Sequence, residues 1–476
     1  MLSKINKIHF IGIGGYGMSA LAKVFLQNGY DITGSDITSS SLASSLENMG
    51  ARINLGHSKE NIEDPGLVVY STAISSDNVE IQAAKEAKIP VWHRSELLAH
   101  LFNDKFGIAV AGAHGKTTTT SMISFVLSEG GFDPTALIGG ELSHFGGNAR
   151  AGQGKEVVAE ACESDHSFLR YESRIAVVTN IEADHLEYYE GSFSKLIDTY
   201  KIFLGNMKPS GTIVVSADCD YIPEVIKDVD VDKDEKILTY GKNPQADLLI
   251  NDVELLEGGS RFELQKDGIS MGTFSLQVPG EHNVQNATAA VAVALELGMD
   301  IDEIKTALSK FKGAKRRFTV VGKVNGIVIV DDYAHHPTEI EATLKTAKNE
   351  CSGNVIGVFQ PHRYTRTKFL LDEFAEAFDF ADRVILNKVY PAGEEPITGV
   401  NSNVLAEKIM KNEARSDKEV AVMDELEEIT DYLAKTVKSG DYVITMGAGD
   451  IWKVAEGLKE RLNQIPKAKS TGDKKV

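Results

Sequence analysis

Cysteine is scarce in this chain: three in 476 residues, with Cys162, Cys219 and Cys351 far apart and no C-x-x-C pair. That excludes a disulfide framework and a zinc site of ordinary spacing, and it fits a reducing compartment. Basic residues are also short, 50 against 69 acidic, which leaves a net charge of -19. An acidic protein is not drawn to polyanions at long range, so neither nucleic acid nor a membrane surface is an expected partner. A run of about 18 uncharged apolar residues occurs nowhere, and Met1 to Lys7 leads into a strand without the apolar core of a secretion signal. The expectation is a cytoplasmic protein, a monomer or weak homodimer.

What the chain does have is strand–glycine–helix patterning, repeated. With 42% hydrophobic and 25% charged residues over this length, it reads as a soluble α/β protein of about three domains. The most informative stretch is Gly107 to Thr120. Ile108 to Ala111 is a short apolar run that reads as a buried strand. From Thr117 a helix follows, with Met122, Ile123, Val126 and Leu127 on one stripe and Gly130-Gly131 as its stop. Between them, Gly112-Ala113-His114-Gly115-Lys116-Thr117-Thr118 has the composition of a phosphate cradle. Gly112 and Gly115 permit the tight turn, backbone amides and the helix N-terminus face one anion, Lys116 reaches the terminal phosphates, and the Thr117 hydroxyl suits a magnesium ion. Val110 stands where the longer motif has its first glycine.

A second glycine loop precedes it. Lys7 to Ile11 reads as a strand, followed by Gly12-Ile13-Gly14-Gly15-Tyr16-Gly17 and a helix; Asp36 closes the next strand-like run. By spacing alone this is a dinucleotide fingerprint, which favours a nucleotide or pyrophosphate. Glycines that merely allow close helix–strand contact would give the same pattern. Further along, Glu160 falls at the end of the strand beginning Val157, and Asn180 to His185 follows the strand Ile175 to Thr179. Carboxylate and hydroxyl oxygens suit magnesium; an imidazole such as His185 suits manganese or a weakly held second magnesium. The same acids would also serve as helix caps. Asn283 and Asn286, at the start of an alanine-rich helix, are either caps or amides that read a base.

Lys312 to Phe318 carries four basic residues in an otherwise acidic chain, marking a boundary and an anion contact. Beyond it, the strand Gly326 to Val330 runs into Asp331-Asp332-Tyr333-Ala334-His335-His336-Pro337. Another strand ends in Gln360 to Arg366, with Arg363 and Arg366 three apart. The expected architecture is an N-terminal Rossmann-like parallel sheet (1–105), a central P-loop ATPase-like α/β domain (106–313) and a C-terminal Rossmann-like α/β domain (314–466). The polar tail 467–476 is expected to be disordered.

Taken together, Gly-Ile-Gly-Gly-Tyr-Gly-Met-Ser-Ala, the phosphate loop, the Glu160 segment, Asn180 to His185, His282 to Asn286, Arg316-Arg317 and Asp-Asp-Tyr-Ala-His-His-Pro resemble the muramyl (Mur) ligases of bacterial cell-wall synthesis. The resemblance runs in order from about residue 7 to 455. It implies that Gly12, Gly14, Gly15, Gly17 and Asp36 hold a UDP-sugar rather than a nicotinamide cofactor. It implies an ATP site at Gly112 to Thr118, with Asn283 on adenine and Arg317 and Asp331 lining the closed site. Magnesium, or manganese, would sit on Thr117, Glu160 and His185, with Lys201 a candidate for carbamoylation at the metal. Arg363 and Arg366 would meet phosphate or the amino-acid carboxylate. The implied reaction joins L-alanine to UDP-N-acetylmuramate using ATP, through an acyl phosphate, with Lys116 and Arg317 assisting and His335 or His336 taking the amine proton. Ala113 and Cys162 depart from the family pattern, where threonine and an acid are common; Cys162 puts metal affinity in question. The alternatives are a relative that attaches a preformed peptide, an NAD-dependent oxidoreductase resting on the first glycine loop, or a nucleotide-switched binding protein.

Overall fold

A computed structural model describes residues 2–164, 166–229, 235–411 and 418–464. The expectation of a disordered tail falls outside them. The first sheet is built from β1 (Lys7–Ile11), α1 (Tyr16–Gln27), β2 (Asp31–Asp36), α2 (Ser41–Asn48), β3 (Arg52–Leu55), β4 (Leu67–Tyr70), α3 (Val79–Glu86), β5 (Val91–His93) and α4 (Arg94–Asn103). Its five strands are all parallel, in the order β3-β2-β1-β4-β5. The order reverses beside β1, so the glycine loop that follows β1 opens at the switch point, where such sheets bind ligands. Near it, Glu80 of α3 is fully buried. It accepts hydrogen bonds from Ser35 Oγ (2.6 Å), Asn61 Nδ2 (2.5 Å) and Ser58 N (3.2 Å), with His9 Nε2 at 3.5 Å. Burial alone would raise its pKa, but these donors outweigh burial and bring the carboxyl down to about 2.

The second sheet begins with β6 (Phe106–Ala111), whose unbroken apolar run is buried on both faces, as parallel central strands are. After it come α5 (Lys116–Glu129), β7 (Thr135–Leu142), β8 (Gly147–Arg150), β9 (Glu156–Glu160), β10 (Ile175–Val178), α6 (Phe193–Gly205), β11 (Thr212–Ser216) and α7 (Ile222–Lys227). Then follow β12 (Lys236–Gly241), β13 (Leu248–Leu256), β14 (Gly259–Lys266), β15 (Ile269–Leu276), α8 (Glu281–Glu296) and α9 (Ile301–Leu308). The strand order is β15-β14-β13-β12-β11-β10-β6-β9-β7-β8. Because β10, β6 and β9 are parallel, with Val110 level with Glu160 and Ala111 with Val178, the segments leaving all three strands emerge side by side. Helix α5 departs from the expected single stripe: Thr117 to Leu127 are buried all round.

The third sheet comprises β16 (Thr319–Val324), β17 (Ile327–Asp332), α10 (Pro337–Glu350), β18 (Val355–Phe359), α11 (Tyr364–Phe369), α12 (Leu371–Glu376), β19 (Arg383–Leu386), α13 (Ser402–Met410), β20 (Glu419–Val422), α14 (Leu426–Thr436), β21 (Tyr442–Met446) and α15 (Trp452–Gln464). Its order is β16-β17-β21-β18-β19-β20, parallel except for the β16–β17 pair. Two compact units result. One holds the described residues through 254 with 259–278 and 282–315, and therefore the first two sheets; the other holds 255–258, 279–281 and the described residues from 316 onward. Among the described residues no helix is long and apolar enough to cross a membrane.

Candidate active site

In the first unit, the loop after β6 is fixed from outside. Gly112 has φ +135°, and a Cβ there would collide with Thr179 Oγ1; Gly115 has φ +79°, and a Cβ there would lie 2.5 Å from Asn286 Oδ1. Only glycine tolerates both the left-handed backbone and the contact. Asn180 clamps the next peptide: its Oδ1 accepts from His114 N (2.8 Å), its Nδ2 donates to His114 O (3.0 Å), and its carbonyl accepts from Ala113 N (3.2 Å). Here the structure corrects the expectation that successive loop amides all face the anion. Those of Ala113 and His114 are turned to Asn180.

Lys116 Nζ lies in a polar socket that the sequence did not reveal. It donates to the carbonyls of Gly112 and Ala113 and to both carboxylate oxygens of Glu163, at 3.0 and 3.1 Å. The Glu163 side chain is only 1% exposed. Burial by itself would lower the Lys116 pKa, but the Glu163 carboxylate, aided by the fields of Cys162 and Asp184, raises it above the ordinary lysine value. The ammonium therefore stays charged at neutral pH. Cys162, beside Glu163, has its thiol pKa pushed up by burial and by that same carboxylate.

Two of the expected metal ligands, Glu160 and Thr117, each adjoin β7: a Cβ on Gly139 would lie 2.5 Å from Glu160 Oε2, and one on Gly140 would lie 3.0 Å from the Thr117 methyl. Glu160 Oε1 accepts from Gly139 N at 2.6 Å. Carboxylate and hydroxyl oxygens are a donor set that fits magnesium. The His185 ring meets Asp184 (3.5 Å) and Glu187 (3.7 Å). Lys201 is a correction. Its ammonium is held by Asp228 (2.8 Å), Asp198 (3.4 Å) and Glu224 (3.8 Å), and the Asp228 hydrogen bond raises its pKa. Carbamoylation needs the neutral amine, which this setting disfavours. Asn283 and Asn286 are not caps, since α8 already begins at Glu281. Asn286 accepts from Thr119 Oγ1 (3.1 Å) and donates to Asn283 Oδ1 (3.3 Å), bracing α5.

At the first glycine loop, Asp36 turns inward. Its Oδ2 accepts from Gly14 N (2.9 Å) and its Oδ1 from Thr38 N (3.1 Å), so it shapes the loop that the fingerprint had it complete as a ligand contact. Gly12 has φ +76°, Gly15 precedes α1, and Gly17 faces Arg94, whose Nη1 would be 3.4 Å from a Cβ. Arg94 places a cation against this loop, a feature not singled out from the sequence.

The second unit gathers its own cluster. Arg316 pairs with Asp331 (2.9 Å) and also reaches Gly447 O (2.8 Å); Thr445 Oγ1 donates to the other Asp331 oxygen at 2.8 Å. Both guanidiniums lie over the Tyr333 ring, at 5.0 and 5.3 Å, and Arg317 meets Glu339 at 3.5 Å. Asp332, buried, accepts from Phe318 N, Ala334 N and Thr343 Oγ1, and burial lifts its pKa to about 6. His336 is the N-cap of α10, with its amide on Glu339 (3.3 Å). His335 Nδ1 lies 2.9 Å from Tyr333 O and 3.3 Å from Glu339 Oε2. Its ring faces that of His362 at 6.1 Å. Burial, Arg366 and Arg363 bring the His362 pKa down to about 3. Arg363, with φ +70°, precedes α11 and approaches Glu394 at 3.9 Å; Arg366 is buried within α11.

Three family models match in this order: the Mur ligase family catalytic domain over residues 7–106, the Mur ligase middle domain over 110–294, and the Mur ligase glutamate ligase domain over 316–449. The chain belongs to the Mur ligase family. This Mur ligase is 46% identical over 466 residues to the UDP-N-acetylmuramate--L-alanine ligase of Geotalea daltonii, covering 98% of this chain and 100% of that one. The enzyme of the same name from Pelotomaculum thermopropionicum is also 46% identical, over 467 residues and the same shares of each chain. Among solved structures, the UDP-N-acetylmuramate-alanine ligase of Thermotoga maritima superposes with a TM-score of 0.81 at 30% identity, covering 96% of this chain and 99% of that one. A murein peptide ligase from Psychrobacter arcticus gives 0.70 at 26%, covering 97% and 100%. Membership makes this Mur ligase an ATP-dependent, amide-forming enzyme.

Proposed function

We propose that this chain joins L-alanine to the lactyl carboxylate of UDP-N-acetylmuramate at the expense of ATP, in the synthesis of peptidoglycan precursor. The observation that carries it is the charged Lys116 seated at the mouth of β6, with Glu160 and Thr117 each adjoining β7, in a chain that matches alanine-adding relatives over 98% of its length. A carboxylate does not acylate an amine at neutral pH, so it must first be activated. In this reading the lactyl oxygen attacks the γ phosphorus, ADP leaves, and the alanine amine then displaces phosphate from the acyl phosphate. Two anions meet in the first step; Lys116 and the first-turn amides of α5 offset that repulsion and align the oxygens. Magnesium held by Thr117 and Glu160 would supply further charge neutralisation.

The sugar nucleotide is assigned to the loop Gly12 to Gly17 with Arg94, and the alanine half-reaction to the second unit. There Arg363 and Arg366 supply carboxylate-binding charge. His335 takes the ammonium proton, a task for which His362 is far too weak a base. Functionally the chain divides as sugar-nucleotide, ATP and amino-acid regions, at 1–105, 106–313 and 314–466. The test is phosphate release from ATP with UDP-N-acetylmuramate and each L-amino acid in turn, with omission controls. Release requiring both the sugar nucleotide and L-alanine is expected. Release with a preformed tripeptide but not alanine would replace this assignment with a recycling ligase.

A further inference from the structure

We propose that a polar seam between α1 and the β7–β8 hairpin sets the distance between the two glycine loops, and so delivers the sugar-nucleotide carboxylate to the γ-phosphate. The proposal rests on the ligase assignment above. Tyr16, Ser19, Lys23 and Gln27 recur every three or four residues and therefore share one face of α1. Each meets the hairpin or the segment beside it. Asn148 Nδ2 donates to Tyr16 O (2.7 Å) and to Ser19 Oγ (3.1 Å). Lys23 Nζ donates to Gly146 O (3.1 Å) and Phe145 O (3.3 Å), and Gln27 Oε1 accepts from Ala151 N (2.8 Å). Ser19, Lys23 and Asn148 are buried.

The chemistry of this seam is unusual for a helix–sheet contact. Burying an ammonium is costly, and desolvation lowers the Lys23 pKa even with the Glu141 carboxylate opposing it. An apolar side chain would fill the same space without that cost. Apolar contact is non-directional, however, and lets a helix slide, whereas hydrogen bonds to fixed carbonyls hold one register. What the register controls is visible on both sides of the seam. The N-terminus of α1 is the first glycine loop. Within the first strand of the hairpin lies the Gly139-Gly140 dipeptide, whose Gly139 N donates to Glu160 and which adjoins the Thr117 methyl. One hairpin thus touches both α1, which leaves the sugar-nucleotide loop, and the residues around the phosphate loop. Lys23, Asn148 and Gln27 are positioning residues, and in-line attack is sensitive to them because a misplacement of about 1 Å costs on the order of 100-fold in rate.

Lys23→Met, which removes the ammonium and keeps the length, is the first test, with Lys23→Arg as the conservative partner. The affinities of ATP and of UDP-N-acetylmuramate, each measured alone by calorimetry, are expected to stay within about 2-fold, while kcat for phosphate release with all substrates falls by roughly 10- to 100-fold. Lys23→Arg, which can still donate to both carbonyls, should recover most of that loss. Gln27→Ala, at the exposed end of the seam, should fold normally and lose about 3-fold in kcat. It carries the test if Lys23→Met does not fold. Wild-type kcat in folded Lys23→Met or in Gln27→Ala would overturn the proposal. So would a loss of both separate affinities matching the loss in kcat, which is the signature of general damage. Absence of sugar- and alanine-dependent phosphate release from the unaltered enzyme would overturn the ligase assignment instead.

Discussion

Removing the Lys116 ammonium should do two separable things. The Lys116–Glu163 pair is bidentate at 3.0 and 3.1 Å, with the carboxylate 1% exposed and the lysine side chain 14% exposed. In Lys116→Met a buried carboxylate loses its counter-ion. Such a group takes up a proton rather than remain charged, which for a glutamate at pH 7 costs roughly 3.5 kcal/mol. That lies inside the ~3–5 kcal/mol found when one member of a buried pair is removed. The sign follows from linkage: the folded variant binds a proton that the unfolded chain does not, so its deficit grows as pH rises and shrinks to about 1 kcal/mol at pH 5. Lys116→Met/Glu163→Gln should recover most of the stability, because no charge is then stranded. Catalysis is different. The charge proposed to meet the γ-phosphate is absent in both variants, so kcat/KM should fall by about 100-fold or more in each. Urea unfolding at pH 5 and pH 7, beside phosphate-release kinetics, measures both. Near-normal ligation by Lys116→Met would refute the phosphate-loop assignment. A pH-independent stability loss, or no recovery in the double variant, would refute the account of the pair.

Glu160→Ala should shift the magnesium titration of activity upward by at least about 10-fold, and an unchanged titration would remove Glu160 from the metal site. His335→Gln should lower kcat at saturating alanine by roughly 100-fold or more; a loss under 3-fold would assign the proton elsewhere. Glu80 has its carboxyl depressed from 4.5 to about 2, so its stabilisation is complete above pH 4.5 and lost as pH falls through that window. Its full value is roughly 3 kcal/mol. Glu80→Gln should therefore flatten the acid side of the stability curve between those values, as followed by chemical denaturation; a profile like that of the unaltered protein would refute the role.

Much was legible in the chain because it depends on short-range rules. Alternation of apolar runs with glycine loops marked β1, β6 and the helices after them, and residue types at strand ends marked Glu160, Asp331 and His335. Glu163 was not legible. It lies past the end of β9, where no periodicity says which way a side chain points, and only the path of the following loop turns it onto Lys116. Asn180 and Asn286 were visible as polar residues, but their partners, His114 and Thr119, are far from them in sequence. That Arg316 meets Asp331 was not legible either, since Arg316 has a left-handed backbone, φ +58°, and its partner lies 15 residues away.

The sequence by itself determined the order of elements, the two glycine loops and the chemical class of the site, because backbone turns and strand-end ligands are written in residue types a few positions apart. Tertiary structure decided which charges meet. Lys116 with Glu163, Arg316 with Asp331, Glu80 with three donors and Lys23 with the hairpin carbonyls are all pairings across the fold. Their existence depends on burial and on angstrom-scale geometry that no local pattern encodes.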